Sequence, residues 1–318
     1  MMDFIFIVSG LFLLFFGGES LLKGSVSLAR NLGLSKLLVG AVIVGFGTSM
    51  PEMTVSVGAA LKGSSEIALG NIVGSNIANI LLIIGLSILI FPITISGPAV
   101  RRDAAVMMAA SVLLCCFALL GYLNMLAGIF MLAALVAYVY FSYQSDKKRT
   151  NTAAENLEQE IEGEKLLKPF VAVGFSVLGL ALLVGGAYLL VEGAISIARS
   201  FGITEAVIGL TIVAVGTSLP ELATSIVAAM RKHADVIIGN IVGSNIFNIF
   251  AILGVTAIIQ PIPFMGQIAN FDVWIMLAVA LLLSAFLWFG LRMGRGVGIV
   301  MLGLYTAYTA WLYMGTVS

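Results

Sequence analysis

Apolar side chains run along this chain in long segments, and short polar stretches separate one segment from the next. Most segments have about 20 residues, the length that an α-helix needs to cross the hydrocarbon layer of a bilayer. The apolar residues are continuous and do not alternate with a period of two, which disfavours a transmembrane β-barrel. The pattern therefore predicts an all-α, polytopic membrane protein.

Ten transmembrane helices are predicted from the limits of these segments. They cover residues 3–29, 36–61, 67–91, 103–120, 122–143, 168–198, 205–230, 236–259, 272–290 and 295–315. We expect the first helix to be retained in the membrane, because neither a basic leader nor a convincing cleavage site accompanies it.

The composition is typical of a chain that lipid surrounds. Of its 318 residues, 60% are hydrophobic and 10% are charged, whereas a soluble domain carries about 25% charged residues. The formal net charge is zero, which argues against a nucleic-acid partner. The bilayer is the predicted surrounding, no cofactor is predicted, and the sequence leaves the oligomeric state open.

Lysine and arginine are distributed unequally between the two sets of connecting loops. If the amino terminus lies outside, thirteen of them fall in inner loops, and only Lys62 and Arg199 fall in outer loops. Basic residues accumulate on the cytoplasmic side of membrane proteins. We therefore expect both termini to lie outside the plasma membrane and the long central loop to lie in the cytoplasm.

The second half of the chain repeats the first half at an offset of 169 residues. Residues 40–90 align with 209–259 without a gap, and 24 of the 51 positions are identical. We divide the chain into a first five-helix repeat, 1–143, and a second one, 168–318. Because five is odd, the second repeat enters the membrane in the opposite direction, which predicts an inverted-topology repeat.

Residues 144–167 connect the two repeats and are rich in glutamate. A calcium-sensing element is one interpretation, but the spaced oxygen ligands and the turn glycine of a dedicated calcium loop are missing. We interpret the segment as a solvated, acidic cytoplasmic linker.

One hexapeptide, GTSMPE at 47–52 and GTSLPE at 216–221, interrupts an apolar segment in each repeat. On a helix, Thr48, Ser49 and Glu52 share one face, because Glu52 follows the other two by four and three residues. Pro51 has no N–H for the preceding turn, so carbonyl groups near it can face sideways. Irregular backbone at membrane depth is tolerated where it lines a protein interior or a watery cavity.

A second repeated stretch, GNIVGSNI, places a serine and an asparagine four residues apart in each repeat. The two motifs together supply hydroxyl, amide and carboxylate oxygens, without histidine or thiolate. The side chains are Thr48, Ser49, Glu52, Ser75 and Asn79, and in the second repeat Thr217, Ser218, Glu221, Ser244 and Asn248. Sites built only from oxygen suit Ca²⁺ and Na⁺ rather than zinc or copper.

Two carboxylates at membrane depth need a counter-charge. Placing one charged side chain there costs at least about 2.5 kcal/mol, and no lysine or arginine lies near either motif in the sequence. We predict that bound cations neutralise Glu52 and Glu221. The alternative is that both are protonated and only hydrogen-bond neighbouring helices, but the repeated proline and glycine would weaken such a contact.

The two motifs resemble the paired α-repeats of the sodium/calcium exchanger branch of the calcium/cation antiporters, here at about 36–91 and 205–259. The resemblance covers essentially the whole chain and implies a secondary antiporter, not an enzyme, that exchanges Na⁺ for Ca²⁺ by alternating access. The ligands it implies are the hydroxyls and carboxylates of the two GTSxPE motifs, the Ser75, Asn79 and Ser244 positions, and the carbonyls of Gly45 and Ala214.

One position departs from some members of that family. Potassium-dependent exchangers carry an aspartate where this chain has Asn79 or Asn248. The two amides argue against potassium co-transport and leave two carboxylates, instead of three, to bind cations or protons.

The first and sixth predicted helices are long and rich in glycine. We expect them to slide against the bundle that holds the ions. Glu19 and Lys23 are four residues apart in the first helix, so we expect these side chains to neutralise each other.

Three other functions fit part of the pattern. A proton/calcium exchanger, or one for another cation, would use Glu52 and Glu221 as proton carriers. A passive channel is disfavoured, because channels usually form rings from identical subunits. An intramembrane hydrolase based on Ser49 or Ser218 would need a base, and the single histidine, His233, is predicted to lie in an inner loop.

Overall fold

The computed structural model describes residues 2–157, 167–201 and 214–317, and nearly all of these residues are helical. The helices of the first half are α1 Met2–Leu32, α2 Lys36–Thr48, α3 Met50–Leu61, α4 Ser65–Ile90, α5 Pro98–Leu120 and α6 Met125–Leu157. Those of the second half are α7 Pro169–Ser200, α8 Ala214–Thr217, α9 Leu219–Met230, α10 Ala234–Ile259, α11 Ile268–Phe289 and α12 Arg295–Val317.

Several of these helices can cross a membrane. Seven of the described helices are long and apolar enough to do so, and α2 with α3 makes an eighth span that is bent by 45°. The predicted seventh span, 205–230, is described only from Ala214 onward, because residues 202–213 lie outside the described part. The protein is therefore a nearly all-helical, multi-pass membrane protein, as the apolar segments predict.

Helices α4 and α10 lie at the centre of the bundle. Their most apolar windows are 78% and 89% buried, whereas the corresponding windows of α1, α5, α6, α7 and α11 are 33–39% buried. The large hydrophobic core surrounds the two central helices and includes Ile72, Ile77, Ile241 and Ile246. The two helices that contain the GNIVGSNI stretches are thus the most enclosed of these seven described helices.

Local sequence signals define several helix ends. The Ser35 hydroxyl accepts a hydrogen bond from the Leu38 N–H and caps α2, as serine often does at this position. Gly121 and Gly290 end α5 and α11 with φ of 83° and 63°, a conformation that favours glycine. Strand β1 (Tyr122–Leu123) follows Gly121 and pairs antiparallel with strand β2 (Ile262–Pro263), which lies between α10 and α11. This pairing links the two halves of the chain.

Helices α1 and α7 pack against each other through glycines that recur every seven residues. Gly10, Gly17 and Gly24 lie on α1, and Gly179, Gly186 and Gly193 lie on α7. A Cβ atom at Gly186 would lie 2.8 Å from the Leu14 nitrogen and 2.9 Å from the Gly10 oxygen, so only glycine permits this approach. Beside these glycines, Leu21 of α1 and Leu183 of α7 belong to a small hydrophobic cluster.

The expected ion pair between Glu19 and Lys23 is wrong. Glu19 Oε1 lies 2.7 Å from Arg231 Nη2, just beyond the end of α9, and the Lys23 ammonium lies 5.4 Å from the centre of the Phe175 ring. The spacing of two residues along one helix does not show which side chains the neighbouring helices bring close to them. Here Arg231 is the partner of Glu19, and Phe175 of α7 lies beside Lys23.

The glycine contact predicts a difference between two adjacent positions of α7. We expect Gly186→Ala to destabilise the protein by about 1–3 kcal/mol, because the added methyl group overpacks the contact with α1. Gly185→Ala is the matched control, because nothing lies within 4 Å of a Cβ atom at that position. Thermal unfolding in detergent tests the pair, and equal melting temperatures for the two variants would contradict this account of the α1–α7 contact.

Candidate ion-binding site

Each GTSxPE motif interrupts the helix that contains it. The backbone at Ser49 has φ −82° and ψ 9°, and α3 begins at the next residue with Pro51 in its first turn. Ser218 has nearly the same values, φ −88° and ψ 7°, between α8 and α9. Proline cannot donate to the preceding turn, so the break occurs where the sequence places the proline.

The two motifs meet through a reciprocal pair of hydrogen bonds. The Ser49 hydroxyl donates to Glu221 Oε1 over 2.9 Å, and the Ser218 hydroxyl donates to Glu52 Oε1 over 3.1 Å. Both carboxylates are fully buried. The structure therefore brings together the two acidic side chains that the sequence places 169 residues apart.

The second oxygen of each carboxylate has a different environment. Within the described part of the chain, Glu52 Oε2 and Glu221 Oε2 are buried and have no hydrogen-bond partner, and the same holds for Ser75 Oγ, Asn79 Oδ1 and Asn248 Oδ1. Leaving buried polar atoms without partners costs about 1–3 kcal/mol each. All five atoms are oxygens with lone pairs to share, which is the chemistry that binds cations.

No basic side chain in the described ranges forms a salt bridge with Glu52 or Glu221. The same residues contain no group of three or more histidine, cysteine, aspartate or glutamate side chains that could hold a metal ion. The chemistry of the site is therefore that of two carboxylates surrounded by neutral oxygen atoms, which favours a hard cation.

The carbonyl of Gly45 also faces this region. It accepts a hydrogen bond from the Ser244 hydroxyl over 3.2 Å. A Cβ atom at residue 45 would lie 2.9 Å from the Ser244 nitrogen, so glycine allows α2 to approach α10 this closely. Ala214, its counterpart in the repeat, begins α8 at the edge of the described residues, and its role as a ligand stays a prediction.

Two asparagines that the sequence analysis did not select hold the threonines. The Asn240 amide donates to Ser225 Oγ over 3.0 Å and to the Glu221 carbonyl over 3.3 Å. Its oxygen accepts a hydrogen bond from Thr48 over 3.2 Å. Asn71 makes the equivalent contacts in the other repeat, with Ser56, the Glu52 carbonyl and Thr217. Each asparagine is the second residue of a GNIVGSNI stretch, and the repetition of that stretch was the signal by which the sequence analysis could have selected both.

Asn76 and Asn245, also missed, orient the predicted amide ligands. The amide of Asn79 donates to Asn245 Oδ1 over 3.0 Å, and the amide of Asn248 donates to Asn76 Oδ1 over 2.9 Å. The amides of Asn76 and Asn245 each donate to the other's backbone carbonyl over 3.3 Å. This ring occupies the N–H groups of Asn79 and Asn248 and leaves their oxygens available to a cation.

The amide ligands also lie where the helices change geometry. Asn79 and Asn248 each begin a stretch of π-helix, Asn79–Ile84 in α4 and Asn248–Leu253 in α10. Such wider turns are rare in proteins and are frequent at functional sites.

The family model of the sodium/calcium exchanger protein matches residues 2–144 and 171–314, which together make up most of the chain. This chain belongs to the sodium/calcium exchanger protein family. Membership confirms the ion-transporting membrane antiporter that the two motifs predict, and it places the protein among transporters rather than enzymes.

The alignments with related proteins extend over nearly the whole of this exchanger. The putative antiporter CaxA of Alkalimonas amylolytica is 37% identical over 291 residues, 92% of this chain and 90% of that protein. The sodium/calcium exchanger MaX1 of Methanosarcina acetivorans is 33% identical over 349 residues, with 98% of each chain covered. The solved structure of the sodium/calcium exchanger from Methanococcus jannaschii superposes with a TM-score of 0.84 at 29% identity and covers 97% of this chain and 98% of that one.

The reciprocal hydrogen bonds predict that Ser49 supports calcium binding. We expect Ser49→Ala to lower Ca²⁺ affinity about tenfold or more, because a hydrogen bond to a charged group contributes about 1.5–3 kcal/mol. Thr54→Ala is the control, because that hydroxyl lies on α3, directly after the break, is exposed and donates to the Met50 carbonyl. Isothermal titration of the purified protein measures both, and unchanged affinity in Ser49→Ala would contradict the assignment.

Proposed function

We propose that this exchanger carries Ca²⁺ out of the cell in exchange for Na⁺ by alternating access, with the ions bound between the two GTSxPE motifs. The observation that carries the proposal is the reciprocal pairing of Glu52 and Glu221 with the serines of the opposite motif. The proposed ligands are Gly45, Thr48, Ser49, Glu52, Ser75, Asn79, Ala214, Thr217, Ser218, Glu221, Ser244 and Asn248.

Charge balance explains why such a site couples the two ions. Glu52 and Glu221 together carry two negative charges, which one Ca²⁺ or two Na⁺ neutralise. An empty site would leave both charges in the membrane interior, at a cost of at least about 2.5 kcal/mol for each. The unloaded protein therefore resists the change of access, and each ion leaves only when the other replaces it.

The moving part in this proposal is the pair of helices α1 and α7. Three glycines on each helix, seven residues apart, form their contact. Four of the five buried residues of the small hydrophobic cluster also lie on these two helices, namely Leu14, Leu21, Leu183 and Ala187. Leu22 and Val26 of α1 belong to the large core, so sliding of the pair would repack these two side chains against the bundle while the α1–α7 contact is kept.

We further propose ten transmembrane helices in two inverted-topology repeats, 1–143 and 168–318, with the acidic linker 144–167 in the cytoplasm. The site supports this arrangement, because its hydrogen bonds occur in pairs related by the 169-residue offset, such as Thr48 with Asn240 and Thr217 with Asn71. The distribution of lysine and arginine supports both termini outside the plasma membrane.

Exchange of Ca²⁺ for protons is the second candidate. The observation in its favour is that Glu52 and Glu221 have no basic partner among the described residues, so protons meet the same charge requirement as Na⁺. We favour Na⁺ because the neutral oxygens of Ser75, Asn79 and Asn248 are also without partners. Protonating the two carboxylates would leave those oxygens unsatisfied, whereas metal ions bind them.

Transport assays in vesicles separate the two candidates. We expect Ca²⁺ efflux from loaded vesicles to require external Na⁺, and a pH gradient of equal size to drive none. Glu52→Gln and Glu221→Gln should each abolish the exchange, because one charge can no longer balance Ca²⁺. Glu66→Gln, at an exposed glutamate of α4, is the control. Efflux that follows the pH gradient alone would favour proton exchange, and full activity in both glutamine variants would refute the site.

Labelling from one side of the membrane tests the topology. In a variant without the two native cysteines, we expect Thr152→Cys, in the linker, to react only from the cytoplasm. Lys62→Cys, after α3, should react only from outside, because the positive-inside distribution places these loops on opposite sides. Labelling of both positions from the same side would contradict the proposed arrangement.

A further inference from the structure

An apolar groove of about 530 Å³ lies between α11 and α12, with Leu81 of α4 among its lining residues. One wall runs over the twelve residues from Phe271 to Leu282 on α11, a distance of about 16 Å at the rise of an α-helix. The other wall is formed by α12, from Leu304 to Trp311. Because α11 is a candidate membrane span, the groove lies along the protein surface that faces hydrocarbon.

A carboxylate lies at one end of this groove. Asp272 is 6% exposed and accepts hydrogen bonds from the Tyr308 hydroxyl over 3.1 Å and from the Gln267 amide over 3.5 Å. Tyr308 itself lines the groove. Among the described residues, Asp272 forms no salt bridge, so no side chain of this chain is seen to balance its charge.

The equivalent aspartate of the first repeat has a basic partner. Asp103 corresponds to Asp272 at the 169-residue offset, and Arg102 forms a salt bridge with it over 2.7 Å. The counterpart of Arg102 is Phe271, a wall of the groove. The second repeat thus has an apolar wall where the first repeat has the cation that neutralises its aspartate.

We propose that the groove binds an acyl chain of one phosphatidylethanolamine molecule, whose ammonium group takes the place that Arg102 has beside Asp103. The primary ammonium of this lipid donates hydrogen bonds to Asp272 and carries a positive charge, whereas phosphatidylglycerol, an anionic lipid, has only neutral glycerol hydroxyls to donate. Phe271 and Trp311, with ring centres 4.1 Å apart, lie at the same end, and tryptophan is enriched at the head-group level of membranes.

The length and the charge of the groove favour a lipid over a transmembrane helix of a second copy or of another protein. The lining spans about 16 Å along α11, whereas a transmembrane helix crosses about 30 Å of hydrocarbon. The buried carboxylate at the end of the groove favours an occupant with an apolar chain and a cationic group at one end, and phosphatidylethanolamine has both.

Native mass spectrometry of the intact protein tests the proposal. The protein is equilibrated in mild detergent with equal amounts of phosphatidylethanolamine and phosphatidylglycerol that have the same acyl chains. We expect the wild type to retain one lipid, with at least a fivefold preference for phosphatidylethanolamine. Ala307→Phe fills the groove and should reduce retention at least fivefold. Ala310→Phe, the same change at an exposed residue of α12 outside the groove, should leave retention unchanged.

Asp272→Asn separates the two parts of the proposal. It should keep the bound lipid and lose the preference between head groups. Equal retention of both lipids by the wild type would overturn the proposal, and so would equal retention by the two phenylalanine variants. A dimer that Ala307→Phe dissociates, without a retained lipid, would show that a second copy occupies the groove. If Ala307→Phe does not fold, Ala278→Phe on the opposite wall replaces it.

Discussion

Two negative charges in the interior of a membrane protein constrain the rest of this structure. Glu52 and Glu221 are both fully buried, and each carboxylate accepts a hydrogen bond from the serine of the opposite motif. Serine hydroxyls orient the carboxylates but do not neutralise them. We propose that the transported ions neutralise them, and the helix breaks, the asparagines and the close approach at Gly45 all place oxygen atoms around the proposed site.

The repeat supplies more than two copies of a motif. Each half contributes a carboxylate, a serine that bonds the other half's carboxylate, and an asparagine whose oxygen faces the other half's amide ligand. Neither half forms a complete site, because Ser49, Asn76 and Asn240 each share a hydrogen bond with the other copy. The proposed site therefore lies at the interface of the two repeats. A movement of one repeat relative to the other would change the access to it.

The sequence predicted the apolar helices and the breaks at Pro51 and Pro220, because hydrophobic period and proline are local properties. The oxygen ligands that it selected stay a prediction. The sequence did not predict the ring of Asn76 and Asn245, which depends on α4 meeting α10. The ion pair of Glu19 with Arg231 was missed for the same reason, since a residue near the end of α9 supplied the partner. Identity between the repeats marked all six asparagines of residues 70–79 and 239–248, but identity alone did not show that Asn71, Asn76, Asn240 and Asn245 hold other side chains of the site.

Equilibrium binding of radioactive Ca²⁺ to the purified protein, with increasing Na⁺, tests the central claim most directly. If the two buried carboxylates are neutralised by either ion, Na⁺ displaces Ca²⁺ competitively and completely, and replacement of both glutamates by glutamine removes Ca²⁺ binding. Ca²⁺ that stays bound at saturating Na⁺, or that binds the double variant with unchanged affinity, would contradict the claim that these two charges hold the transported ions.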